Sequence, residues 1–205
     1  MFKYFIKIYV FTKIIGIIKE VTDGPLYTNK YGNDDPQFID TAYRVIADHA
    51  RTMIFAINDG VIPGATERNY VVRRLIRRAV RYGTKLGSKD GFLSLIVRKV
   101  IIFLTSEYPE LEGNADKITN IIQDEEIKFS RVMRKGLRLF NKVIQDNKSN
   151  VPMEKLLDLY ITFGFPVDII KQLCEENNII FNVDEYNNLM DDHVQKSKNK
   201  KFKQP

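Results

Sequence analysis

The sequence predicts an all-α fold, with two helical subdomains joined by a long helix. Apolar residues recur every three or four positions through most of the chain, which is the period of an amphipathic helix. Glycine, proline, asparagine and aspartate concentrate between these periodic segments, where they predict turns. The chain has 205 residues, of which 44% are hydrophobic and 28% charged, and this is enough apolar chain for a folded core.

The first segment, residues 1–37, is expected to form a helix followed by a loop. Lys3, Lys7 and Lys13 interrupt its opening apolar run, so the run fits neither a signal peptide nor a membrane-spanning helix well. We expect the helix to pack against protein, and a membrane anchor is the alternative. A helix on its own cannot bury all of its apolar side chains, which are Phe2, Phe5, Ile6, Val10, Ile14, Ile15, Ile17 and Ile18.

The next four helices are predicted from their apolar periods over about 38–58, 66–82, 90–108 and 115–145. The segment 90–108 is apolar on nearly all sides, so we expect it to be the central buried helix. The segment 115–145 would reach about 45 Å at about 1.5 Å per residue, enough to join two subdomains. Residues 147–150 are the expected joint.

This joint separates a first helical subdomain, 38–148, from a smaller second one, 149–195. In the second, prolines and a glycine predict where helices begin and end. They are Pro152 at one start, Gly164 at its end and Pro166 at the next start.

The end of the second subdomain is predicted from its composition. Residues 179–183 read as a short extended piece, and Asp184 is expected to cap a final helix. The lysine-rich residues 196–205 predict a basic disordered tail.

The basic charge of the chain concentrates in one helix. The net charge is +6, and the stretch from Arg68 to Lys89 holds eight basic residues and no acidic residue. At about 100° per residue, the apolar residues of this helix fall on one half and the arginines on the other. The apolar half is Val71, Val72, Leu75, Ile76, Ala79 and Val80. The residues expected to bind RNA are Arg68, Arg73, Arg74, Arg77, Arg78, Arg81 and Lys85.

An arginine face without acids repels itself unless an anionic partner compensates its charge. The planar guanidinium suits phosphate, which favours a nucleic-acid backbone as that partner. Aromatic residues do not interleave with the arginines, and this favours a duplex over a single strand. A carboxylate-lined surface within the protein and an anionic membrane surface are the alternatives.

The remaining reactive side chains predict neither a catalytic residue nor a metal site. Cys174 lies in an apolar run and is expected to be a buried thiol. His49 lies beside an apolar face, as a structural histidine would, and His193 is far from it, so no metal-ligand spacing occurs. Because a glycine-rich phosphate loop is also absent, we expect no cofactor in this chain.

Three segments together resemble the alanyl-tRNA synthetases, which are class II enzymes. They are IDTAYRVIADHARTM (39–53), RNYVVRRLIRRAVRYG (68–83) and LYITFGFPVD (159–168). DEEIKF (124–129) resembles the acidic start of a further helix of that family, and the order and gaps also fit. The resemblance covers about residues 9–199 and is closest to the eukaryotic cytoplasmic branch.

The resemblance implies a function and a partner. In that family the region follows the catalytic domain, cradles the acceptor stem of the alanine tRNA and reads a G·U wobble pair there. It therefore implies binding of the tRNA(Ala) acceptor stem, a role in protein synthesis, and a cytoplasmic location.

The resemblance also implies which parts of the enzyme lie elsewhere. ATP and Mg²⁺ would belong to the full-length enzyme, whose catalytic domain lies upstream and whose editing domain lies downstream. This chain alone is expected not to aminoacylate. A catalytic domain or a partner chain is expected to pack on residues 1–20.

Two residues depart from the family pattern at the positions that read the wobble pair. The family usually has Asn where this sequence has Ala65, and Asp where it has Ile161. Neither Ala nor Ile can accept a hydrogen bond from the guanine amino group in the minor groove. Thr66 and Glu67 are the residues that would substitute from the same loop.

Two further functions stay open from the sequence. One is a free-standing relic that serves as a protein-interaction module, which the losses at Ala65 and Ile161 favour. The other is a membrane-associated basic helical protein, which the apolar first helix favours.

Overall fold

The computed structural model describes the backbone of residues 2–147 and 151–201, and the side chains of residues 9–147 and 151–196. Eight α-helices and no β-strand occur along this described chain, which confirms the all-α prediction. The helices are α1 (Phe2–Thr22), α2 (Ile39–Asn58), α3 (Glu67–Lys85), α4 (Phe92–Leu104), α5 (Ala115–Asn147), α6 (Met153–Phe163), α7 (Val167–Glu176) and α8 (Val183–Lys201). Over the described residues, no helix is both long and apolar enough to cross a membrane.

The chain packs into two compact units, Met1–Ser130 and Arg131–Pro205, and the boundary falls inside α5. The long helix was predicted, and α5 continues to Asn147 without a break. The joint expected at 147–150 lies mostly outside the described residues. We describe the two units separately as unit 1 and unit 2.

Unit 1 is built around α2, which packs against α1, α3 and α4. Ile46, Met53 and Ile54 of α2 are fully buried. The prediction that 90–108 forms the central buried helix is wrong, because α4 keeps Leu95 56% and Ile102 66% exposed. Its apolar residues exceed the width of the face that α1 and α2 cover.

Helix α1 contributes to the core of unit 1. Ile14 and Ile18 are completely buried, and α1 packs on both α2 and α4. Part of the apolar surplus expected on residues 1–20 is therefore buried within the chain itself. The side chains of Phe2, Phe5 and Ile6 lie outside the described residues.

Two buried aspartates fix the loop between α1 and α2. The Asp35 carboxylate accepts the backbone N–H groups of Asp40 and Thr41 and so caps the start of α2. Asp40 in turn accepts the backbone N–H groups of Thr28 and Lys30. Burial alone would raise the pKa of both carboxyls, but these hydrogen bonds outweigh it and lower each pKa.

Helix α4 is capped by a side chain from α5. The Glu126 carboxylate accepts the backbone N–H groups of Leu93 and Ser94, each at 3.0 Å, at the start of α4. Burial raises the pKa of Glu126, and the hydrogen bonds only partly offset this effect. This contact orients α5 in unit 1 and so places its neighbour, Glu125.

In unit 2 the predicted helix punctuation is confirmed. Gly164 ends α6 in the left-handed conformation with φ 66°, and Pro152 and Pro166 immediately precede α6 and α7. Phe165, which is fully buried, lies against Gly136 of α5.

The thiol in unit 2 is buried as predicted. Cys174 is completely buried in α7, and burial raises the pKa of its thiol to about 11. It is therefore a core residue and not a nucleophile.

The predicted ending of the chain needs two corrections. The backbone N–H of Glu185 donates to the side-chain oxygen of Asn182, so Asn182, and not Asp184, caps α8. Of the short extended piece expected at 179–183, residues 179–182 lie outside any helix or strand and Val183 already begins α8, which continues as a helix to Lys201 into the predicted tail. Residues 202–205 of the predicted tail lie outside the described residues.

Candidate nucleic-acid interface

Helix α3 carries the candidate interface and packs on α2 through its apolar half. Val72, Ile76 and Ala79 are buried against unit 1, as the helical wheel predicted. Two residues at the edges of that wheel are placed differently. Val71 is 55% exposed, and Arg81 is only 6% exposed, so the basic face is shorter than the sequence indicates.

Three arginines present their side chains to solvent. Arg68, Arg74 and Arg78 are all exposed along α3. The guanidinium of Arg74 lies 5.9 Å from the centroid of the Tyr70 ring, and that of Arg78 lies 5.8 Å from the Tyr82 ring. Each pair is four residues apart, so each ring supports a guanidinium group. The expectation that aromatic residues do not accompany the arginines is therefore wrong for Tyr70 and Tyr82.

One carboxylate of α5 partly offsets the charge of two further arginines. Arg77 Nε donates to Glu125 Oε1 at 2.7 Å, and Arg73 Nε lies 3.6 Å from the same oxygen. The Glu125 side chain is only 7% exposed. A carboxylate within the protein, the alternative partner considered for the arginine face, is therefore found for Arg73 and Arg77 but not for the whole face.

The remaining basic residues lie at the end of α3. Arg81 is buried, and Lys85 is half-buried with its Nζ 5.9 Å from the centroid of the Phe38 ring. The predicted RNA-binding set thus divides into three exposed arginines, two paired arginines and two residues turned toward the protein.

The sequence alone does not identify Glu125 as a partner of the arginine helix. Its only signal is the acidic run DEEIKF, which resembles the start of a family helix. Arg77 and Glu125 are 48 residues apart, and only the packing of α5 in unit 1 brings them together.

The loop before α3 exposes the candidate base-reading residues of unit 1. Ala65, Thr66 and Glu67 are all exposed, and Glu67 opens α3 with φ 49° in the left-handed region. The backbone N–H of Gly64 donates to the carbonyl of Asn69 at 3.0 Å, which ties the loop to the first turn of α3. The fourth candidate, Ile161, is half-buried on α6 in unit 2.

His49 has a structural role in α2. Its Nδ1 lies 3.1 Å from Asp48 Oδ2, and the ring is buried beside the apolar face. Burial lowers the pKa of His49, the Asp48 carboxylate partly opposes this, and the charge of Arg78 adds to it. The ring is therefore held neutral near pH 7.

The described residues bring together no group of three or more His, Cys, Asp or Glu side chains able to hold a metal ion. Fold and site together define, over the described residues, an all-helical protein with a short arginine-rich surface.

Comparison with known proteins identifies the family. The sequence profile described as "tRNA synthetases class II (A)" matches residues 3–205. The chain is 39% identical over 180 residues to the cytoplasmic alanine–tRNA ligase of Drosophila melanogaster, covering 86% of this chain and 19% of that protein. It is 39% identical over 175 residues to the alanine–tRNA ligase of Bacteroides fragilis (83% and 20%), and 37% identical over 191 residues to that of Nitratidesulfovibrio vulgaris (91% and 21%).

The chain therefore belongs to the alanyl-tRNA synthetase family, and the resemblance seen in its sequence is confirmed. It spans about a fifth of the length of the curated relatives it matches.

Proposed function

We propose that this chain is the part of an alanine–tRNA ligase that binds the acceptor stem of tRNA(Ala). The observation that carries the proposal is the row of three exposed arginines on α3, Arg68, Arg74 and Arg78. In a family of tRNA synthetases, the natural anionic partner for this row is the tRNA backbone.

The binding chemistry follows from the composition of the row. Each arginine that neutralises a phosphate releases a condensed counterion, so affinity falls as salt rises. Phosphate contacts position the RNA but carry no sequence information. Since Arg73 and Arg77 are paired with Glu125, we expect each to contribute less to RNA binding than an unpaired arginine.

The catalytic chemistry of the family belongs to other parts of a longer enzyme in this proposal. ATP-dependent attachment of alanine needs groups that bind ATP, Mg²⁺ and alanine, and we assign none of the described side chains to that role. The same proposal places the protein in the cytoplasm, where tRNA is charged for protein synthesis.

A salt series tests the proposal. The variant carrying Arg68→Gln, Arg74→Gln and Arg78→Gln should bind an alanine-tRNA acceptor hairpin with a slope of log affinity on log salt shallower by about 2 to 3. These three positions leave the Glu125 pairs intact, so the fold is not disturbed by an unpaired buried carboxylate.

The control variant removes three exposed lysines on helices other than α3, through Lys117→Gln on α5, Lys155→Gln on α6 and Lys196→Gln on α8. It loses the same net charge and should keep most of the slope. Equal slopes for the two variants would place the RNA on another surface.

A protein-interaction module is the second candidate, favoured by the loss of hydrogen-bond acceptors at Ala65 and Ile161. In that case the unaltered chain would bind the hairpin no better than the arginine variant at every salt concentration.

A further inference from the structure

A second basic surface runs along α5 within unit 2. Five exposed side chains, called the α5 ridge, belong to it: Arg131, Arg134, Lys135, Arg138 and Lys142. At about 100° per residue they fall within an arc of about 100°, so they form one row. The row is about 16 Å long at the helical rise.

The ridge has no acidic residue within its own stretch of helix. From Ile127 to Gln145 the sequence contains no Asp or Glu. In the described parts of the chain, no carboxylate forms an ion pair with Arg131, Arg138 or Lys142. Each of these three has a further basic residue of the ridge four positions away, an arrangement of like charges that weakens a helix.

The core of unit 2 holds the ridge in place. On the opposite side of α5, Met133 and Phe140 are buried, and Gly136 lies against the Phe165 ring. The Nζ of Lys135 lies 4.7 Å from the centroid of the Phe163 ring, which restrains that side chain. The basic row is therefore presented by a helix whose orientation is fixed before any ligand binds.

The shape and chemistry of the ridge favour the phosphates of a nucleic acid. Arg131, Arg134, Lys135 and Arg138 line one open groove of about 440 Å³, where Leu139 is the apolar member. Because the apolar face of α5 is buried in the core, the ridge offers little apolar surface to insert into a membrane. Three of the five cations are arginines, whose planar fork matches phosphate oxygens.

We propose that the α5 ridge is a second contact for the backbone of the same RNA, independent of α3. The inference rests on the proposed function only in taking RNA as the ligand. The ridge supplies cations in addition to those of α3, where Glu125 offsets part of the charge of Arg73 and Arg77.

Three variants of the full chain test the ridge. The ridge variant carries Arg131→Gln, Arg138→Gln and Lys142→Gln, and the lysine variant carries Arg131→Lys and Arg138→Lys. The third is the charge-matched variant at Lys117, Lys155 and Lys196. Each is titrated with an unmodified tRNA(Ala) transcript over a salt series, and circular dichroism checks that its helices are intact.

We expect the ridge variant to lose about tenfold in affinity at low salt, with a slope shallower by about 2 to 3, while the lysine variant keeps the slope. A ridge variant with the slope of the charge-matched variant overturns the inference, whatever the α3 variant does. If the salt slope becomes shallower in the ridge variant but not in the α3 arginine variant, the ridge contacts the RNA and the proposed role of α3 is wrong.

Polyglutamate distinguishes an acidic protein partner. If the ridge variant loses polyglutamate binding and keeps the full salt slope for tRNA, the ridge binds acidic peptide and the inference is wrong. If the ridge variant has lower affinity for both ligands and a shallower salt slope for tRNA, the ridge is an RNA contact that also binds other polyanions.

Discussion

Glu125 decides how many cations α3 can offer to a ligand. It is nearly buried, and its Oε1 lies 2.7 Å from Arg77 Nε and 3.6 Å from Arg73 Nε. Both arginine side chains are 28% exposed, so they are held by the protein and still reachable from solvent. The arginine-rich face was predicted from the helical period of the sequence, but which of its arginines are paired depends on a residue of another helix.

Replacing Glu125 by Gln separates the structural and the electrostatic roles of this residue. The variant should lose about 1–3 kcal/mol of unfolding free energy, less than the 3–5 typical of a broken buried pair, because both arginines are partly solvated. It should bind RNA more tightly and with a steeper salt slope, since one negative charge is removed from beside Arg73 and Arg77. Chemical denaturation and a salt series of binding measure the two effects.

Glu20→Gln is the matched control for this prediction. Glu20 pairs with Lys99 at 2.8 Å, but the two side chains are 64% and 45% exposed, so the cost should stay within about 1 kcal/mol. Weaker RNA binding by the Glu125 variant would contradict the prediction and assign Glu125 the role of orienting the arginines.

At the scale of elements, amphipathic helices were predictable and evenly apolar ones were not. α2 and α3 bury the faces that their apolar periods indicate, because each helix has a polar half that distinguishes its buried half from its exposed one. α4 lacks that contrast, so its sequence does not show that Leu95 and Ile102 face solvent. Caps supplied from elsewhere in the chain, such as Glu126 on α4, are equally invisible in local sequence.

Close packing of a helical glycine can be tested by adding one methyl group. A Cβ at Gly136 of α5 would lie 2.2 Å from Phe165 Cδ2, whereas a Cβ at Gly16 of α1 would meet no heavy atom within 4 Å. Gly16→Ala should stabilise the chain by up to about 1 kcal/mol through helix propensity. Gly136→Ala should instead destabilise it by about 1–3 kcal/mol, because the ring must move.

Thermal and chemical unfolding of the two glycine variants give this comparison directly. If both substitutions stabilise the protein equally, the packing of Phe165 on α5 is looser than described. In that case the ridge on the opposite side of α5 would also be less firmly held.

At the scale of the whole molecule, the division into units depends on packing and not on punctuation. The joint expected at 147–150 stays a prediction, because most of it lies outside the described residues, whereas the boundary between the compact units falls between Ser130 and Arg131, inside an unbroken helix. The local sequence does not indicate this boundary, because a helix that packs into two cores is helical and amphipathic along its whole length. α1 likewise proved to be part of the unit 1 core, which its excess of apolar residues alone did not establish.

Restoring the two positions that the resemblance expects to read the G·U pair gives the last prediction. By resemblance, Ala65 of unit 1 and Ile161 of unit 2 occupy the two positions that read the G·U pair. Neither side chain accepts a hydrogen bond, so the unaltered chain should discriminate less than tenfold (about 1.4 kcal/mol) between acceptor hairpins with G·U and G·C. Ala65 is exposed and accepts a larger side chain freely, whereas Ile161 is half-buried, so Ile161→Asp needs a check of thermal stability.

The double variant Ala65→Asn with Ile161→Asp should recover preference for G·U, because each restored hydrogen bond is typically about 1–3 kcal/mol when its partner is otherwise unpaired. Ala65→Leu with Ile161→Leu changes side-chain size at both positions without adding an acceptor and should leave the discrimination small. The measurement is affinity for the two hairpins at one fixed salt concentration, since salt changes the backbone contribution to both equally. If the unaltered chain already prefers G·U by tenfold or more, the exposed side chains of Thr66 and Glu67 become the first residues to replace.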